Sequence, residues 1–169
     1  MKIILPLGAL AATATLIAAI PAVAAAPIGA VRAIEAAQAG GNGRAFDVEI
    51  DSYQGRPVYE VKLMRGNGYQ EVAVDAMSGQ VLSRTTPRIQ GYVWRWTDRK
   101  ERAHFNNARP LAEVIAALEQ RSGGTVTDAS FDVEGGQARY EVELSTNAGT
   151  ADIYLDPKTG ERLALVYDD

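Results

Sequence analysis

The chain of 169 residues contains no cysteine and a single histidine, His104. Disulfide bridges, thiolate nucleophiles and cysteine-ligated zinc or iron–sulfur centres are therefore excluded. A metal site would have to come from carboxylates and one imidazole, and no cofactor is expected. Positive charge is also in deficit. Seventeen Lys and Arg against 21 Asp and Glu give a formal net charge of -4, a poor match for a phosphate backbone, so nucleic acid is not expected as a partner. Long apolar runs are confined to the start. After Met1-Lys2, Ile3 to Ile20 is almost wholly apolar, Pro21 breaks the run, and Ala22-Val23-Ala24 satisfies the small-x-small rule. The pattern predicts a signal peptide over residues 1–24, cleaved after Ala24, with no stable membrane insertion afterwards and a periplasmic or secreted bacterial product. An uncleaved anchor of nearly spanning length is the competing reading.

The rest of the chain repeats itself. Pro27 to Leu82 and Pro110 to Leu163 follow one order of elements. In the second copy Leu111, Val114, Ile115 and Leu118 fall on one helical face; in the first, Ile28, Val31 and Ile34 form a thinner stripe padded with alanine. Paired glycines, Gly40-Gly41 and Gly123-Gly124, supply helix stops. Phe46-Asp47-Val48-Glu49 matches Phe131-Asp132-Val133-Glu134, an alternating strand with one dry face. Tyr59-Glu60-Val61-Lys62-Leu63 matches Tyr140-Glu141-Val142-Glu143-Leu144. A third strand, with Val72 and Val74 or Ile153 and Leu155, runs into Asp75-x-x-x-Gly79 or Asp156-x-x-x-Gly160. These are structural turns, opened by a short side-chain acceptor and closed by a glycine at positive φ. A last strand carries Val81-Leu82 or Leu163, Leu165 and Val166.

The expected architecture is α+β: two tandem modules, residues 27–84 and 110–169, each one helix packed on a three- or four-stranded antiparallel sheet. Residues 85–109 form the linker. Within it Tyr92, Trp94 and Trp96 alternate on one face of a short strand. They either pack the modules together or, with Arg95, mark a partner-binding surface. Thr97 to Ala108 reads as a polar, basic hinge.

The helix, the glycine stop, the Tyr-Glu-Val-x-Leu strand and the closing strand into Asp-x-x-x-Gly, all present twice, resemble the PepSY domain. That resemblance implies a module of metallopeptidase propeptides and of secreted or membrane-tethered bacterial proteins, which inhibits or regulates peptidases by direct binding. The implied partner is a protein or peptide, with a peptidase first among candidates.

Catalysis finds little footing. His104 sits in the linker with no nucleophile motif around it. Asp47, Glu49, Asp51, Asp132 and Glu134 are explained by a solvated strand face without acid–base chemistry. Asp75 and Asp156 lack the oxygen ladder of a calcium loop. Gly40 to Arg44 follows a helix and precedes a strand, the reverse of a phosphate-cradling order. The functional expectation is an exported, non-catalytic binding module, a peptidase inhibitor or regulator. The alternative is a sensory or accessory module of an envelope signalling system, or a small-ligand binder.

Overall fold

The computed structural model describes residues 26–41, 43–66, 68–87 and 99–163. The predicted leader, the aromatic strand with Tyr92, Trp94, Arg95 and Trp96, and the closing Leu165 and Val166 lie outside the described residues. The elements run α1 (Ala30–Ala39), β1 (Arg44–Tyr53), β2 (Arg56–Arg65), β3 (Gly68–Asp75), β4 (Val81–Thr85), α2 (Arg99–Asn107), α3 (Leu111–Ser122), β5 (Thr125–Glu134), β6 (Gln137–Thr146) and β7 (Gly149–Leu155).

The expectation of two modules with separate small sheets is corrected. All seven strands join in one antiparallel sheet of order β4-β3-β2-β1-β5-β6-β7. The strands β1 and β5, each the outer strand of its own copy, would otherwise expose a row of unpaired N–H and C=O groups. They pair with each other instead, through Asp47↔Ser130, Val48↔Ala129 and Glu49↔Asp128.

The two copies are related by a constant shift of 81 residues. Gly29 and Pro110 precede the helices, Tyr59 corresponds to Tyr140, and Gly79 to Gly160. The bulges obey the same shift, lying between Ala45 and Asp47 in β1 and between Val126 and Asp128 in β5. This corrects the sequence match of Phe46-Asp47-Val48-Glu49 to Phe131-Asp132-Val133-Glu134, which is four residues out of register. The true counterpart of Asp47 is Asp128, and that of Val48 is Ala129. Val48 and Ala129 thus face each other across the seam and are also equivalent. A local two-fold axis passes between them, as at the centre of an isologous dimer.

The helices lie on one face. An unbroken row crosses all seven strands beneath them: Arg84, Val72, Val61, Val48, Ala129, Val142 and Ile153. Leu111, Val114, Ile115 and Leu118 of α3 bury against this side. On α1 the buried residues are Ala30, Ala33, Ile34 and Ala37, so the alanines are themselves the contact surface. They let α1 approach both the sheet and α3 closely, within a single core cluster. The last turn of α1 has no basic residue of its own. Arg84 of β4 supplies one, its Nη1 donating to the Ala37 carbonyl at 2.9 Å, which satisfies a C-terminal carbonyl and suits the negative helix end.

Each copy is fastened at the start of its helix. In the second, the buried Tyr140 hydroxyl donates to the Arg109 carbonyl at 2.6 Å, and the Arg109 N–H donates to Pro157 of the Asp-x-x-x-Gly turn at 2.7 Å. In the first, the Ile28 N–H donates to Ala76 at 2.8 Å, the equivalent bond. Gly43 and Gly124 mark the opposite corner, where a Cβ would come within 2.8 Å of Leu63 Cβ or of the Ser145 carbonyl.

The expected hinge from Thr97 to Ala108 is also corrected. Much of it is the helix α2, and Phe105 is almost fully buried. Its ring meets Phe46 of the first copy at 6.5 Å and Phe131 of the second at 5.3 Å. Those two residues flank the point where the three-pair ladder between β1 and β5 stops. Arg44 locks the wedge, donating to the carbonyls of Phe105 at 2.8 Å and Ala108 at 2.6 Å, with its guanidinium 4.5 Å above the Phe105 ring. Phe105→Ala should therefore cost about 3–5 kcal/mol of stability in denaturant melts. Asn106→Ala, at an exposed position beside it, should change stability by less than about 0.5 kcal/mol. Equal effects would show that the segment is a passive linker.

Candidate functional site

The face of the sheet away from α1 and α3 carries the charge. Strand alternation sends the neighbours of each buried valine to this side, and two further cross-strand rows span all seven strands. One runs Thr85, Glu71, Lys62, Asp47, Ser130, Glu141, Tyr154. The other runs Ser83, Ala73, Glu60, Glu49, Asp128, Glu143, Asp152. The second places five carboxylates on five neighbouring strands, Glu60 to Asp152, over about 19 Å at the usual strand spacing. Glu49 and Asp128 stand directly opposite each other across the seam, a like-charge pairing that destabilises an antiparallel ladder.

Among the described residues, two cations sit in this field. Lys62 Nζ lies 3.0 Å from Glu49, 3.1 Å from Asp47 and 3.7 Å from Glu60. Arg139 reaches Glu134 and Glu141 at 2.6 Å and Asp132 at 3.7 Å, with its guanidinium 5.0 Å from the Tyr154 ring. Neither is bonded to Asp128 or Glu143 among the described residues; the Thr127 hydroxyl donates to the Glu143 carboxylate. Burial raises Asp47 to about 6, against the pull of Lys62 and with added repulsion from Glu49 and Asp128. Asp128 is raised by burial and then by Glu49 and Glu143. Glu60 is raised by burial, Lys62 again opposing. The carboxylates in turn hold Lys62 above its ordinary value, outweighing its own burial.

The turns are electrostatically the reverse. Asp75 Oδ1 accepts from the Ser78 N–H at 2.8 Å, the Ser78 hydroxyl at 2.8 Å and the Met77 N–H at 3.1 Å, and these bonds lower its pKa. Asp156 Oδ1 accepts from Lys158 and Thr159 N–H groups at 2.8 and 2.9 Å and is lowered likewise. Gly79 and Gly160 close the turns at φ +75° and +72°.

Alternation in the sequence puts Asp47, Glu49, Asp51, Asp132 and Glu134 on a wet strand face. The structure joins Asp47 and Glu49 to Glu60, Asp128 and Glu143 in one field. The alternation of acidic and apolar residues signalled the face; only the pairing of the two copies creates the continuous row. His104 lies in the last turn of α2, half-buried, and lines a cavity of about 320 Å³. Among the described residues no group of three or more His, Asp and Glu is arranged to hold a metal ion.

With the repeated helix, Tyr-headed strand and Asp-x-x-x-Gly turn placed, the comparison with known proteins is direct. Residues 27–85 and 110–164 match the family described as Peptidase propeptide and YPEB domain, PepSY. The chain belongs to the PepSY family. A relative is the uncharacterised protein YkoJ of Bacillus subtilis (strain 168), 29% identical over 130 residues, covering 76% of this chain and 68% of that one. Among solved structures, one described as a "putative lipoprotein" from Clostridium difficile 630 aligns with 20% identity and a TM-score of 0.44, covering 73% of this chain and 81% of the other. This PepSY chain therefore carries two copies of the domain merged into one sheet.

The raised carboxylates fix a pH dependence. A carboxyl whose folded pKa exceeds its unfolded value binds more protons when folded, so its contribution is fully present below the unfolded pKa and is lost as pH rises through the folded one. For Asp47 that window runs from 3.8 to about 6. Asp75 and Asp156, held down, act oppositely, and their contribution is lost as pH falls below 3.8. Stability should accordingly peak near pH 4 and decline as pH rises from about 4 to about 6, checked by thermal melts across that range. Asp128→Asn should raise stability at pH 7 by roughly 0.2–1 kcal/mol by removing the like-charge opposition to Glu49. A drop in stability with this variant would mean that the row is neutralised in place.

Proposed function

We propose that this chain is an exported, non-catalytic binding module that inhibits or regulates a peptidase in the bacterial envelope or outside the cell. The observation that carries the reading is the row Glu60, Glu49, Asp128, Glu143, Asp152. Adjacent carboxylates work against the sheet that holds them. Departures from local consistency concentrate at functional surfaces. A broad, rigid, acidic face suits a protein partner with a basic surface, because complementary charge speeds association and rejects wrong partners. The family's description as a peptidase propeptide supports the choice of a peptidase.

The test is affinity capture from envelope extract, followed by assays of the captured peptidase with and without the chain. Wild type should retain a partner that is released by salt. The double variant Glu49→Lys, Asp128→Lys should bind it at least about tenfold more weakly, since opposed charges across an interface become like ones. A captured peptidase held equally well by the double variant would overturn the role of the face. The cavity beside His104 favours a second reading, a sensory or small-ligand module. Saturable stabilisation by a small molecule in a thermal-shift screen, with no protein captured, would favour it.

A further inference from the structure

The internal repeat supplies its own template for an unassigned site. In the first copy the turn is closed by Arg56, whose Nη2 lies 2.6 Å from Asp75 Oδ2. Asp75 is buried, 4% exposed, while the Arg56 side chain that pairs with it is 58% exposed. The 81-residue shift puts Gln137 in the place of Arg56, Asp156 in that of Asp75, and Lys158 in that of Met77. Asp156 keeps the turn bonds through Oδ1 but forms no ion pair among the described residues, and it is more exposed than Asp75. Gln137, Asp156, Pro157, Lys158, His104 and Leu163 line the cavity of about 320 Å³ at this spot. That size is at the small end of ligand pockets, suited to one amino-acid residue.

The charges in the lining are specific. Asp156 uses Oδ1 for the turn, and among the described residues its Oδ2 has no counterpart of the guanidinium that Asp75 Oδ2 meets in the first copy. Lys158 and His104 supply cationic and N–H donor groups, which would repel a simple cation. A ligand satisfying both has a guanidinium at one end and a carboxylate at the other. We propose that the cavity binds a C-terminal arginine residue, the guanidinium pairing with Asp156 as Arg56 pairs with Asp75, and the terminal carboxylate accepting from Lys158 and His104. Arginine suits the acidic end because its planar donors can engage a carboxylate bidentately. Pro157 and Leu163 provide apolar contact for the side-chain stem. The proposal is independent of the acidic sheet face and stands whether or not a peptidase is the partner.

The probe is N-acetyl-L-arginine, titrated into the full chain and followed by amide NMR shifts and thermal melts. Saturable shifts are expected at Gly135 to Ala138 and Asp156 to Gly160. N-acetyl-L-arginine amide, which lacks the carboxylate, and N-acetyl-L-lysine, which lacks the guanidinium, should each bind about tenfold more weakly or worse. Gln137→Arg should fill the cavity from within, abolish binding and raise the melting temperature by recreating the Arg56–Asp75 closure. This variant keeps the turn intact, so its folding does not depend on Asp156; Asp156→Asn should also lose binding. The absence of saturable shifts with N-acetyl-L-arginine, shifts confined to the acidic face, or undiminished binding by Gln137→Arg would each overturn the proposal.

Discussion

The short ladder between β1 and β5 is the constraint on which the structure turns. Three residue pairs join two repeats into one sheet. Without them each copy would be a small sheet with an open edge at β1 or β5. The ladder places Val48 against Ala129 and so continues one buried row from Val72 of β3 to Ile153 of β7, under both helices. Its brevity leaves the ends of the two hairpins free to diverge. Phe105 and Arg44 occupy that divergence: the ring contacts both copies, and the guanidinium ties the first copy's β1 to carbonyls at the end of α2. The seam is therefore held by an apolar row, three backbone pairings and a wedge contributed by neither repeat.

The same seam determines the chemistry of the opposite face. Any register that aligns Val48 with Ala129 must align Glu49 with Asp128, because side chains alternate along a strand. The apolar gain on one side thus comes with a like-charge contact on the other. Lys62 moderates it from β2, bonding Glu49 and reaching Asp47, while burial, Glu49 and Glu143 hold the Asp128 carboxyl above the usual range. Burial is the first cause of the raised carboxylates, and the seam adds the mutual repulsion of Asp128 with Glu49 and Asp47.

Much of this was legible in the sequence. The two Asp-x-x-x-Gly turns, the Tyr-headed strands and the helical stripe of α3 have local signatures, set by turn chemistry and periodicity. The register of β1 against β5 has none. Phe46-Asp47-Val48-Glu49 resembles Phe131-Asp132-Val133-Glu134 because a shift of four preserves a period of two, so the wrong alignment keeps every apolar residue on the correct face. Bulge position and the spacing of glycine turns decide between the alternatives, and the bulge is invisible in composition. Phe105 was hidden for a related reason: one aromatic residue in a polar helix carries no periodic pattern, and its burial depends on two strands far away in the chain.

The cations show how far the copies have diverged. Lys62 corresponds to Glu143, and Arg139 to Val58, so each copy counters its own carboxylates from a different strand position. At the turns, Arg56 closes the first copy whereas Gln137 leaves the second open to solvent. A fold maintained only for stability would tolerate such changes at random. Here the 81-residue equivalence is kept through the bulges and the Asp-x-x-x-Gly turns, while charge is redistributed on the acidic face and in the cavity beside His104. The physical distinction is between positions whose geometry the sheet dictates and positions whose chemistry it leaves free. The copies differ at both kinds: Ala30, Ala33 and Ala37 stand against Leu111, Val114 and Leu118 in the core and change how closely each helix packs, whereas the exchanges of charge change what each surface can bind.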